Sequence, residues 1–216
     1  MDLLIFPFGG NSRESACVVE AVNKLCSSWN FIGFIDDNAD KHGKEFGNYR
    51  VIGGRDKIAD YPQAKVLAVP GRPDNYYKRD EIITSLNLPE ERFATLIHPS
   101  AEIGIGTKIG YNTVIMAGVV ITSNVTIGNN CVILPNTVIS HDTKIGDYCM
   151  IGSNVSVSGG VTIEEKCYIG TGTKIIQEVT IGSKSLVGIG SVVIKNVESG
   201  SVVAGNPAKL IKRQTL

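Results

Sequence analysis

The sequence predicts an α/β domain over residues 1–97, a parallel β-solenoid over 98–199 and a tail over 200–216. Three observations predict this. From Ile103 to Val193 every sixth residue is aliphatic, Ile thirteen times and Val three, with no insertion. The residue two places before each aliphatic is small or β-branched, from Ala101 through Cys131, Thr137 and Val161 to Ser191. The first 97 residues lack this period and instead alternate short apolar runs with amphipathic stretches, the pattern of a parallel sheet covered by helices.

The front part is expected to start with a strand at Leu3–Phe6 and a turn at Gly9-Gly10. A helix should follow from Arg13 to about Ser27, with Ala16, Val19, Val22 and Leu25 on one side. Phe31–Ile35 reads as a second strand ending in Asp36-Asp37, Lys65–Val69 as a third, and Asn75–Leu86 as a helix. Phe93–Ile97 leads to His98-Pro99.

A period of six is neither strand alternation nor helix. It marks one short strand and one corner per repeat. Strand side chains alternate, so the aliphatic and the small residue two places earlier both point to the axis. Three repeats close a triangular coil, so residues 18 apart in sequence should stack about 4.8 Å apart. Gly follows the aliphatic at positions such as 104, 110, 128 and 146, where it is expected to relieve the backbone at a corner. Outward Val114, Val120, Val132, Leu134 and Val138 predict an apolar seam between subunits. The tail is expected to end in a short helix.

Composition excludes several classes. Lys+Arg and Asp+Glu both total 21, against the basic excess of a nucleic-acid binder. No apolar run reaches the roughly 18 residues of a membrane helix. Asp2 and the lack of a basic start argue against a secretory signal, and five cysteines fit reduced thiols in a cytoplasm. Cys131, Cys149 and Cys167 form a ladder of inward positions spaced by 18, which packs the core and lacks the convergence a metal needs. A zinc hydratase on such a solenoid would need three converging histidines, and the repeat contains only His141. His42 reads as a solvated loop residue and His98 as structural.

The hexads, the start His98-Pro99-Ser100-Ala101, the pair His141-Asp142 and the segment Ala204-Gly205-Asn206-Pro207-Ala208-Lys209 together resemble the left-handed β-helix acyltransferases. The α/β domain in front narrows the resemblance to sugar acetyltransferases of the PglD/NeuD type, over essentially the whole chain. The resemblance implies a Rossmann-like front domain, a left-handed coil, a homotrimer, and acetyl-CoA bound in clefts between neighbouring prisms without a metal. It implies N-acetylation of a nucleotide-linked amino sugar of the 4-amino-4,6-dideoxy type, for bacterial surface glycan biosynthesis. O-acetylation of sialic acid or another free sugar, and a non-catalytic nucleotide-sugar-binding trimer, are the alternatives.

The resemblance also implies roles. His141 is the general base, oriented by Asp142, and the Gly159 amide, 18 residues on, holds the acetyl oxygen. Relatives often carry a second histidine near the acetyl group where this chain has Met150. Gly205, Asn206, Pro207 and Lys209 fall at the CoA site. Gly9, Gly10 and Asn11 match the diphosphate loop, although Pro7 replaces its first Gly and Asn11 its closing His. Asp36 and Asp37 match the acidic pair near base and ribose, and Gly53 a weaker contact segment.

Overall fold

The computed structural model describes residues 1–214. The front part is a five-stranded sheet in the order β3-β4-β2-β1-β5. Its strands are β1 (Asp2–Phe6), β2 (Asn30–Ile35), β3 (Glu45–Phe46), β4 (Tyr49–Gly53) and β5 (Lys65–Ala68). β1, β2, β4 and β5 pair in parallel, and β3 turns back antiparallel on β4. The β3–β4 hairpin went unread in the sequence because β3 is only two residues long. Helix α1 spans Gly10–Leu25, beginning three residues earlier than its apolar pattern suggests because the chain turns helical directly after extended Gly9. It buries Ala16, Val18 and Val19 on the sheet. The expected Asn75–Leu86 helix is shorter: a 3-10 turn at Tyr76–Lys78 runs into α2 (Arg79–Thr84). Tyr76 is drawn there towards the prism, where its hydroxyl donates to the Lys184 carbonyl at 2.8 Å.

From residue 96 the chain winds as a triangular prism. Two-residue strands pair in parallel with those 18 positions away, as Val120 with Val138 and Val132 with Met150. The first face runs from Glu102–Ile103 to Val192–Val193, the second from Lys108–Ile109 to Thr180–Ile181, and the third from Leu96–Ile97 through Val114–Ile115 and Met150–Ile151 to Leu186–Val187. The aliphatic of each repeat lines the axis, and Ile133, Ile139, Ile151 and Ile163 are fully buried. The inward polar and thiol side chains close hydrogen bonds to the coil above. Thr137 donates to the Gly152 carbonyl at 2.7 Å, Cys131 to Gly146 at 3.2 Å, Cys149 to Glu164 at 3.0 Å and Cys167 to Gly182 at 3.2 Å. Burial pushes the Cys131 and Cys149 thiols well above their ordinary pKa.

The corners are built differently from the expectation. The left-handed backbone falls three places after the aliphatic, at Asn112, Asn124, Asn130, Asp142 and Tyr148 among others. The glycines directly after the aliphatic answer to crowding instead. A Cβ on Gly110 would stand 2.6 Å from the backbone of Gly128 in the next coil.

The third face is where the two parts meet. Val114 and Val132 are fully buried there and Leu134 is half-buried, all against the front part. These three are therefore covered by their own chain and not by a subunit seam. Of the outward residues, Val138 on the first face remains 39% exposed. The tail forms a hairpin in place of the expected helix. Ser201–Gly205 pairs in parallel with Leu186–Val187 and antiparallel with Ala208–Arg213. Without the hairpin the third face would end in an unpaired strand edge at Leu186–Val187, and pairing satisfies that edge as a helix could not. The last two positions of the expected tail lie outside the described residues. Among the described residues no helix is long and apolar enough to cross a membrane.

Candidate active site

Two separate places collect most of the residues singled out in the sequence, and the C-terminal hairpin carries Gly205, Asn206, Pro207 and Lys209. The first is the corner between the first and second faces. His141 and Asp142 sit there, and the His141 Nδ1 lies 2.8 Å from Asp142 Oδ2. Asp142 adopts the left-handed backbone, with φ 60°, which swings its carboxylate under the ring. Asn124, one coil below, donates to the other carboxylate oxygen at 2.6 Å. The Asn124 amide, followed by the His141 ring, holds the Asp142 carboxyl below its ordinary pKa. A carboxylate on Nδ1 fixes the proton there and leaves Nε2 as the basic atom. One coil above stands Gly159. A Cβ on it would lie 2.6 Å from both His141 Cε1 and Nε2, so the imidazole occupies the space a side chain would take. The Gly159 carbonyl accepts from Glu178, while its N–H has no partner among the described residues.

The second place is a cavity of about 630 Å³ between the front part and the third face. Gly9, Gly10 and Asn11 line it, with Asp36 and Asp37 opposite and Leu134, Met150 and Tyr168 from the prism. The first turn of α1 faces it with no acidic side chain. The Asn11 amide donates to the Val69 carbonyl at 3.2 Å, bridging the helix start to the opposite wall. Both acids already have partners. Asp36, buried at the end of β2, accepts from Lys41 Nζ at 2.8 Å and from the Asn38 amide at 2.9 Å. Asp37 takes Arg55 Nε at 2.8 Å and the Arg55 amide at 3.0 Å, and the Arg55 guanidinium holds its carboxyl below the ordinary range. Gly53 does not line the cavity. Its carbonyl receives the Asp36 amide at 2.9 Å, and its role is to place that acid. Lys41, Arg55 and Arg72 are the cationic lining that sequence reasoning missed. Only the reach from Lys41 to Asp36, five residues away, could have been guessed.

A triangular cross-section fixes how these places relate. The corner between the first and second faces is opposite the third face. His141 therefore lies across the prism from the cavity and is absent from its lining.

The chain matches the bacterial transferase hexapeptide (six repeats) family over residues 106–141 and 142–177. A sequence search of curated proteins finds no match. Among solved structures, the acetyltransferase domain of PglB from Neisseria gonorrhoeae is 27% identical with a TM-score of 0.82, over 97% of this chain and 99% of that one. The same domain in complex with acetyl coenzyme A aligns at 26% identity and TM-score 0.81, over 97% and 98%. PerB from Caulobacter crescentus, in complex with CoA and GDP-perosamine, shares the fold at 24% identity and TM-score 0.81, over 98% and 97%. The chain shares the hexapeptide repeats of that transferase family and the whole-chain fold of these acetyltransferase structures.

In this chain Met150 is 5% exposed in the cavity wall, on the far side of the prism from His141. Gly205, Asn206 and Pro207 form the turn of the C-terminal hairpin, with a cis peptide before Pro207, and Lys209 is exposed on its second strand. His42 is not simply solvated: its Nε2 lies 2.8 Å from the Asp36 carbonyl. His98 receives the Ser100 amide on Nδ1 at 3.0 Å and caps the start of the prism.

Proposed function

We propose that the protein is an acetyl-CoA-dependent N-acetyltransferase of a nucleotide-linked amino sugar, acting in the cytoplasm as a homotrimer. The observation that carries this reading is the separation of the two half-sites. A cavity suited to an elongated, charged acceptor and an exposed His-Asp pair stand on opposite sides of one prism. A second copy must bring its His141 corner to the cavity of the first. Exposed Val138 on the first face supplies apolar surface for that contact. The known complexes of PglB with acetyl-CoA and of PerB with CoA and GDP-perosamine support the choice of substrates.

In this reading His141 Nε2 takes a proton from the sugar amine as the nitrogen adds to the thioester carbonyl. Asp142 steadies the imidazolium that results. The free Gly159 N–H donates to the tetrahedral oxyanion, and the bond to sulfur then breaks. No acyl-enzyme forms. Gly205, Asn206, Pro207 and Lys209 hold CoA. Gly9, Gly10 and Asn11 face the diphosphate, and Asp36 with Asp37 the base and ribose.

The test is an assay for free CoA thiol with UDP-, dTDP- and GDP-linked amino sugars. Release with one of them, and with no free sugar, is the expected result. Release with sialic acid alone would replace this reading with O-acetylation. Sedimentation showing a monomer at micromolar concentration would remove the shared site. Asp37→Asn should raise KM for the sugar about tenfold and leave KM for acetyl-CoA unchanged, because it touches only the remote part of one substrate.

A further inference from the structure

The prism leaves one carbonyl per coil unpaired at each corner, because the left-handed residue there turns its C=O outward. At the corner between the second and third faces these carbonyls lie beneath the front part, where an unpaired acceptor is costly. Arg79, the first residue of α2, meets them. It is fully buried and has no carboxylate partner among the described residues. Its guanidinium donates through Nη2 to the Asn130 carbonyl at 2.5 Å and through Nε to the Tyr148 carbonyl at 3.2 Å. These are successive coils. Its third donor, Nη1, closes on the carbonyl of Pro70. Burial pushes the Arg79 pKa down to about 10, which leaves the side chain charged near neutrality.

Pro70 is not a remote residue. Pro70, Gly71 and Arg72 form one wall of the cavity. Gly71 is wedged between the arginine and the floor: a Cβ on it would meet Met150 Sδ at 2.7 Å and Arg79 Nη1 at 3.0 Å. Asn112 secures the start of the same segment. Its side chain accepts from the Ala68 amide at 2.7 Å and donates to the Ala68 carbonyl at 2.9 Å.

We propose that Arg79 is a positioning residue for the acceptor: its guanidinium ties the Pro70–Arg72 wall to two coils of the prism and so sets the width of the sugar-nucleotide cavity. The three bonds leave from three different nitrogens held in one rigid plane, whereas a lysine ammonium offers its donors from a single point and cannot span all three carbonyls. The proposal rests on the cavity being the acceptor site, and its test separates the two claims. Hydrogen exchange is measured on the full-length protein for wild type, Arg79→Met and Arg79→Lys, together with KM for both substrates. In both variants, exchange over residues 69–75 should rise while β1 stays protected. KM for the nucleotide sugar should rise about tenfold in Arg79→Lys, with KM for acetyl-CoA within about twofold of wild type. Arg79→Lys keeps the charge and part of the bonding, so it serves if the Met variant does not fold. Unchanged exchange over 69–75 in the folded variants overturns the tie. Faster exchange with a wild-type sugar KM overturns the positioning role. A wild type that turns over no nucleotide sugar, with exchange still raised in the variants, sinks the acceptor reading and leaves the tie standing.

Discussion

Two corners of the prism share one backbone and are used in opposite ways. At the corner between the second and third faces, Asn112, Asn130, Tyr148, Lys166 and Lys184 stand 18 apart, and each meets the segment 68–80 or its neighbours. Asn112 and Asn130 touch it directly or through Arg79, Lys166 pairs with Asp80 at 2.7 Å, and Lys184 receives Tyr76. At the corner between the first and second faces, Asn124, Asp142, Gly160 and Glu178 have the same stacking and no cover from the front part. Asn124 serves the Asp142 carboxylate, and His141 is left 64% exposed by side chain. The fold supplies both columns alike. What differs is whether the outward groups are spent on intramolecular docking or left for a ligand.

That contrast can be broken at either corner. The largest effect is expected at the open one. His141→Ala should lower kcat by about 10²–10⁴-fold, the usual worth of a general base, with an unchanged melting curve. Near-normal turnover would end the assignment. Gly159→Ala should come next, at about 10²-fold in kcat, because the new methyl would displace the ring that now lies in its place. A crystal structure with the imidazole unmoved would contradict it. At the covered corner the effect should fall on stability instead. Asn112→Ala strands the Ala68 amide and carbonyl in the interior and should cost about 1–3 kcal/mol by denaturant titration, with kcat retained. The smallest effect sharpens the dyad. The Asp142 carboxyl is held low, so its interactions are present above the unfolded carboxylate pKa and lost as pH falls through the folded value. Asn124→Ala removes the first cause of that shift, and the Asp142 carboxyl carbon should titrate at higher pH by NMR. An unmoved titration would assign the shift to His141 alone.

The prism was legible because one side chain in six must fill the axis, and nothing else can sit there. The left-handed column was legible too. Asn and Gly recur three places after the aliphatic, at Asn112, Gly118, Asn124, Asn130 and Asn136, although the glycines directly after the aliphatic form a second, competing pattern. His141, Asp142 and Gly159 come together because stacking by 18 is arithmetic. The cavity was half legible. Its glycine turn and acidic pair are local, whereas Arg55 reaches Asp37 across 18 residues that include the unpredicted β3–β4 hairpin. Arg79 was illegible. A single arginine in a short helix gives no hint that its partners lie 51 and 69 residues away. The third face misled for the same reason: Val114 and Val132 are outward in the repeat, and only the packing of the front part makes them interior. An isolated prism would bare that face, so the docking can be tested only in the whole chain.

The unbroken register of the hexads has a consequence for how such a chain can change. Each coil is one turn of a screw thread, and distance along the sequence is also rotation about the axis. Val120 lies over Val138 because 18 residues complete a full turn. Loss of one hexad between Ile145 and Val187 would keep every aliphatic on the axis, yet rotate everything after it by about a third of a turn. The C-terminal hairpin would then emerge on another face, and Gln214 could no longer reach the Tyr76 hydroxyl, which it now meets at 2.5 Å. Loss of a whole coil would shorten the thread and preserve the bearing of both ends. Natural length variation in this architecture should therefore come in steps of 18 wherever the tail must meet the front of its own chain.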